Sequence, residues 1–174
     1  CGFSNLCSNI WSLQRQGVPF VWSDSCEKEF VLLKDRLNRA PSLKSFDPKL
    51  TSILTTDSSV KGLGAGLRQG IRGNEKTIMF LSRSLKGAET SYSVIERKAL
   101  SVFWVVKKLK RFLWGGSFVV RTDHKPLCEF FKKKGINDIS SRITKWVITL
   151  QDYDFTVEYI PSVKNRVADS LARL

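Results

Sequence analysis

The sequence predicts an α/β fold: a five-stranded mixed sheet, three strands antiparallel and then parallel additions through helical crossovers, flanked by helices. Three observations predict it. Residues 51–69 (TSILTTDSSVKGLGAGLRQ) carry a hairpin pattern. In it Thr51, Ile53 and Thr55 alternate with Ser52, Leu54 and Thr56, and Asp57-Ser58-Ser59 supplies turn chemistry before a return rich in glycine. A helical period follows in Leu100, Trp104, Val105 and Leu109. Short β-rich runs and further helical periods then alternate to the last residue.

Taken in order, residues 1–17 form a short mixed stretch, expected to be a helix left over from an upstream domain, and Pro19-Phe20-Val21-Trp22 an aromatic plug. Ser23 or Asp24 caps a helix to about Arg39, with Glu27 completing a capping box and Phe30, Leu33 and Leu37 on one face; Pro41 stops it. After the hairpin, Lys76 to Ser82 is a third strand and Ser84 to Ser91 a loop. The longest helix runs from Ser93 to Leu113 and ends at Gly115-Gly116. Phe118 to Thr122 is a fourth strand, ending at Asp123. Pro126 opens a short helix, and Ile139 to Leu150 forms another with Ile143, Trp146, Val147 and Leu150 inward. Asp154 to Ile160 is the fifth strand, Pro161 breaks it, and Asn165 to Leu174 closes as a helix carrying Asp169. The expected domains are 1–40 and 41–174.

The chain has 174 residues with 29 basic and 16 acidic side chains, a net charge of +13. That excess points to a polyanionic partner, nucleic acid before membrane. No apolar run is long enough to span a bilayer. The cysteines at 1, 7, 26 and 128 have no zinc-type spacing, so reduced thiols in an intracellular compartment, cytoplasm or nucleus, are expected. The opening CGFSN, without Met, is expected to be internal to a longer chain.

Three acids stand at element ends: Asp57, Asp123 and Asp169. Adjacent parallel strands bring the first two together, and clustered carboxylates stay ionised only with compensation. Hard divalent cations, Mg²⁺ or Mn²⁺, supply it, and two such ions clamp both oxygens of a phosphodiester under attack. Acids on a basic protein therefore point to phosphodiester hydrolysis on nucleic acid. The densest basic runs are Lys107, Lys108, Lys110 and Arg111, and Lys132, Lys133 and Lys134; Arg142 and Lys145 share one helix. Such runs are either solvated helix faces or phosphate contacts, and the net charge favours contacts. His124, the only histidine, is expected to be structural, because neighbouring strand residues point to opposite faces.

Six segments carry a more specific signal: FVWSDSCEKEFVLLKDRL, LTTDSSVKGLGAGLRQ, IMFLSRSLKGAETSYSVIERKAL, FVVRTDHKPL, RITKWVITLQDYDFTVEYIPS and KNRVADSLARL. In this order they resemble the ribonuclease H domain of gypsy-type LTR-retrotransposon reverse transcriptases over almost the whole chain. The resemblance implies an RNase H-like fold and cleavage of the RNA strand of RNA–DNA hybrids. It implies a polymerase domain upstream in the same polyprotein, with residues 1–40 as the end of its connecting region. It also implies a metal site of four acids, in which Asp57 matches the first, Asp123 the third and Asp169 the fourth.

The second acid is missing. The family pattern Y-S-x-x-E-x-E-x-L stands here as Tyr92-Ser93-Val94-Ile95-Glu96-Arg97-Lys98-Ala99-Leu100, so Lys98 occupies the ligand position. Glu96 lies two residues earlier, about 200° around a helix, and cannot cover the same spot. Lys98 therefore either serves as a fixed counter-ion for the three aspartates, weakening two-metal occupancy, or points to solvent. Two functional expectations follow: a retroelement nuclease with impaired cleavage, or a catalytically silent hybrid-binding or polymerase-supporting module.

Overall fold

The computed structural model describes residues 8–14, 17, 19–38, 43–132 and 140–173. The chain divides into two compact units, residues 1–42 and 43–174. In the first, helix α1 (Ser8–Ser12) and helix α2 (Asp24–Asn38) are joined by Glu29. Its carboxylate accepts from the backbone N–H groups of Asn9 and Ile10, both at 3.1 Å, satisfying donors a helix start leaves open. The expected box between Asp24 and Glu27 does not form. Ser23 is the cap, its hydroxyl accepting from Cys26 N, and Glu27 instead takes the Trp22 indole N–H at 2.7 Å. Pro41 lies outside the described residues.

The second unit holds the sheet, in the order β3-β2-β1-β4-β5. Strands β1 (Ser52–Ser58), β2 (Gly62–Gln69) and β3 (Lys76–Ser84) form an antiparallel meander. Strand β4 (Phe118–Thr122) joins β1 in parallel and β5 (Phe155–Tyr159) joins β4 in parallel, the mixed sheet that the residue pattern predicts. Helix α3 (Val94–Lys108) lays Val102, Val105 and Val106 over Leu54, Ala65, Leu67, Val120 and Val157, the main core. Burying these branched side chains holds α3 in place at about 1.5–3 kcal/mol apiece.

The predicted 93–113 helix is not continuous. It breaks at Leu109, which is buried with φ −96° and ψ 17°, before a single turn, α4 (Lys110–Leu113). Phe112 N–H reaches Leu109 O at 2.8 Å, a tight i→i−3 bond that swings Phe112 and Leu113 into the core. Helix α5 (Lys125–Lys132) and helix α6 (Ser141–Leu150) follow, α6 capped by the Ser140 hydroxyl. Ala99, Leu127 and Ile143 make a second small core among α3, α5 and α6, and Trp146 stacks on Phe103 at 5.9 Å.

Helix α7 (Arg166–Ala172) presses onto the hairpin. A Cβ on Gly64 would collide with the backbone at Ala168 and Ala172. Gly64→Ala must push α7 away, and overpacking of this kind costs about 1–3 kcal/mol. The expected readout is a thermal midpoint several degrees lower; an unchanged midpoint would show that α7 rides clear of β2.

Candidate active site

The site is set by strand register. The parallel β1–β4 ladder pairs Ser52 with Phe118 through to Thr55 with Arg121, and the same register carries Asp57 and Asp123 to one level at the strand ends. Opposite Asp57 on β2 stands Gly64, so no side chain crowds the carboxylate from that strand. Lys98 arrives from the early part of α3, which is anchored by a true capping box between Ser93 and Glu96.

The Lys98 ammonium donates to Asp57 Oδ1 and, at 2.6 Å, to Asp123 Oδ1. The side chains are 11% exposed for Lys98, 4% for Asp57 and 12% for Asp123, so this ion triad is largely cut off from water. Each carboxylate accepts one further hydrogen bond. Ser58 N–H donates to Asp57 Oδ1 at 2.6 Å, and the Ser162 hydroxyl donates to Asp123 Oδ2 at 3.0 Å.

Burial lowers the Lys98 pKa, but the hydrogen bonds and charges of Asp123 and Asp57 outweigh it and leave the amine above its ordinary value of 10.5. Its contribution to stability is present below pH 10.5 and is lost as pH rises through the raised value. Asp57 moves the other way for a carboxylate in an ion pair. Burial pushes it above 3.8, Asp123 adds repulsion, and Lys98 offsets only part. One cation cannot fully satisfy two buried carboxylates, and the more deeply buried one retains the deficit. The Asp57 contribution therefore favours folding below pH 3.8 and is lost as pH rises through its raised value.

Asp169 is not drawn onto Lys98. It pairs with Arg173, one turn along α7, at 2.7 Å, with side chains 40% and 68% exposed. Exposed i,i+4 pairs of this kind are weak, being screened by solvent. Glu96 is turned elsewhere, accepting from Ser93 N–H at 2.9 Å and from Arg142 at 2.6 Å. Arg142, expected at the nucleic-acid surface, is thus held by Glu96 and lies over the Tyr92 ring at 4.1 Å. Lys107, Lys108, Lys110, Arg111 and Lys145 are exposed, Lys110 resting over Trp114. Lys132 closes α5, and Lys133 and Lys134 lie outside the described residues.

Strand alternation does not decide the role of His124. Asp123 and His124 follow the end of β4, so strand alternation does not separate them. Burial lowers the imidazole pKa, the nearby Lys98 charge lowers it further, and Asp123 offsets part; His124 is neutral near pH 7. Its Nδ1 is buried without a partner among the described residues.

Two residues of the site gave no usable signal in the chain alone: Ser162, on the turn Ser162–Lys164, and Asn165. The buried Asn165 amide donates to Thr56 O at 3.1 Å, fixing the start of α7 against β1 one residue before Asp57. Asn165→Ala removes that bond and strands a buried carbonyl, a loss of about 1–3 kcal/mol by denaturant unfolding. A change within error would mean that α7 is fixed by packing alone.

The donor set does not fit a two-metal centre as it stands. The Lys98 Nζ holds one oxygen of each of Asp57 and Asp123, Asp169 is engaged by Arg173, and no three Asp, Glu, His or Cys side chains among the described residues are grouped to hold a metal ion. No helix among them is long and apolar enough to cross a membrane.

Comparison with known proteins bears on this geometry. A family model described as the RNase H-like domain found in reverse transcriptase matches residues 47–153. The retrovirus-related Pol polyprotein from transposon 412 of Drosophila melanogaster is 33% identical over 172 residues, covering 99% of this chain and 14% of the relative. That from the Drosophila transposon gypsy is 32% identical over 158 residues, covering 90% of this chain and 15% of the relative. The chain thus spans about one-seventh of the length of these curated relatives. Among solved structures, the foamy viral protease-reverse transcriptase in complex with RNA/DNA hybrid aligns with TM-score 0.58 at 19% identity, over 91% of this chain and 22% of that one. The ribonuclease H1 of the halophilic archaeon Halobacterium salinarum aligns with TM-score 0.52 at 11% identity, over 71% and 94%. The fold is that of ribonuclease H, and the chain belongs to the RNase H-like domains found in reverse transcriptases.

Proposed function

We propose that this chain is the RNase H-like part of a gypsy-type LTR-retrotransposon Pol polyprotein, that it binds RNA–DNA hybrid, and that its hydrolysis of the RNA strand is strongly impaired. Residues 1–40 are then the end of the polymerase connecting region, and the protein works in a reducing intracellular compartment. The observation that carries the reading is the Lys98 ammonium seated between Asp57 and Asp123. At an effective dielectric of 20, a unit charge 4 Å from another feels about 4 kcal/mol, so a dication beside this ammonium meets roughly twice that repulsion. At the same distance and dielectric the two carboxylates attract the dication by about 16 kcal/mol, so the ammonium cancels about half of the pull that would hold a metal. The exposed Lys107, Lys108, Lys110, Arg111 and Lys145 supply phosphate contacts that survive loss of cleavage.

Wild-type protein mixed with labelled RNA–DNA hybrid tests this. Retention that weakens steeply with salt, with RNA cleavage at background in Mg²⁺ and in Mn²⁺, is expected. Multiple-turnover cleavage by the wild type would contradict impairment, and salt-independent retention would contradict phosphate-led binding.

A further inference from the structure

We infer that Lys98 donates its third ammonium N–H to a backbone phosphate of bound nucleic acid, so that hybrid binding at this site needs no divalent cation. The inference rests on the function proposed above and deepens it. An ammonium has three donors. Two are spent on Asp57 Oδ1 and Asp123 Oδ1, and the third has no acceptor among the described residues. The two aspartates fix the direction of that donor, because Ser58 N–H and the Ser162 hydroxyl hold the carboxylates in turn. The Lys98 side chain keeps 11% of its surface accessible to solvent.

Charge points the same way. A lysine in place of a glutamate moves the site by two positive units, the charge of one Mg²⁺. Asp57, Asp123 and Asp169 are met by Lys98 and Arg173, leaving one net negative charge. Lys61, Lys164 and Arg166, all exposed, stand on the turns and helix start that border it. Arg173 is close enough to feel the charge of Asp57. A phosphodiester therefore meets a built-in cation in a site of one net negative charge, where a four-acid site presents stronger repulsion until metal arrives. No bond is made or broken; the lysine is a binding group.

Two measurements test it. Hybrid affinity of the wild type is compared in EDTA and in Mg²⁺. The expected result is equal or tighter binding in EDTA, because Mg²⁺ then acts only as a competing counter-ion. Lys98→Glu is expected to bind about tenfold or more weaker in EDTA and to regain affinity in Mg²⁺. Because a variant can misfold, the second measurement uses wild type alone: ¹⁵N NMR of the lysine ammonium groups with saturating hybrid. A coupling from the Lys98 Nζ to a ³¹P nucleus is expected. A Lys98 signal unmoved at saturation, or wild-type binding that requires Mg²⁺, overturns the inference. Rapid cleavage by the wild type would instead overturn the proposed function, so the two failures are distinguishable.

Discussion

Lys98→Glu is expected to raise Mg²⁺-dependent cleavage of RNA–DNA hybrid at least about a hundredfold over the wild type. One well-placed electrostatic group is worth about 10²–10³ in rate, and this change both removes an opposing charge and restores an acidic one. The relative strength of the two cationic contacts decides which residue to change. Lys98 holds Asp57 and Asp123 in a largely buried cluster, whereas Arg173 holds Asp169 in an exposed pair that solvent already weakens. Arg173→Ala alone is therefore expected to leave cleavage at background. Labelled-hybrid cleavage, followed at a single turnover in Mg²⁺ and in Mn²⁺, reads both variants. Equal rates for the wild type and Lys98→Glu would remove Lys98 from any role in holding the site silent.

Lys98→Met is expected to cost about 3–5 kcal/mol of folding stability at neutral pH, because it leaves two buried carboxylates without their cation. The loss has a definite pH dependence. The Asp57 carboxyl already sits above 3.8 through burial, and loss of the ammonium raises it further. A raised carboxyl opposes folding once ionised, so the variant recovers stability as the pH falls towards 3.8 and loses it as the pH rises through the raised value. The wild type keeps the Lys98 contribution across that whole range, since it is given up only above pH 10.5. The triple variant Asp57→Asn, Lys98→Met, Asp123→Asn removes the charges as a set and is expected to recover most of the loss. Denaturant unfolding from pH 4 to pH 8 checks the series. A cost below about 1 kcal/mol for Lys98→Met would place the triad among solvent-screened pairs.

How far the chain could be read in advance depended on which forces fix each feature. The hairpin, the long helix and the two parallel strands were legible because alternation and the 3.6-residue period are imposed by burial of one face. The pairing of Asp57 with Asp123 followed from that same topology, as both end adjacent parallel strands. The helix break at Leu109 was not legible, since Leu109 fits the helical period, and only core geometry selects the tighter bond to Phe112. Asp169 was expected beside Lys98 and lies with Arg173; the i,i+4 spacing of that pair was present in the chain, and the four-acid resemblance drew attention away from it. Ser162 and Asn165 escaped notice because a lone Ser or Asn before a helix has a capping role by default. What they hold, Asp123 and the Thr56 carbonyl, is distant in sequence. The strand-alternation reason for His124 did not apply, because both Asp123 and His124 lie past the end of β4.

The central claim is that the Lys98 ammonium holds the ground between Asp57 and Asp123 that a divalent cation would need. Calorimetric titration of Mn²⁺ into the wild type and into Lys98→Glu addresses it without any nucleic acid. No saturable binding by the wild type is expected, and a saturable site in Lys98→Glu that is lost again on adding Asp57→Asn. Saturable Mn²⁺ binding by the wild type, abolished by Asp57→Asn, would contradict it.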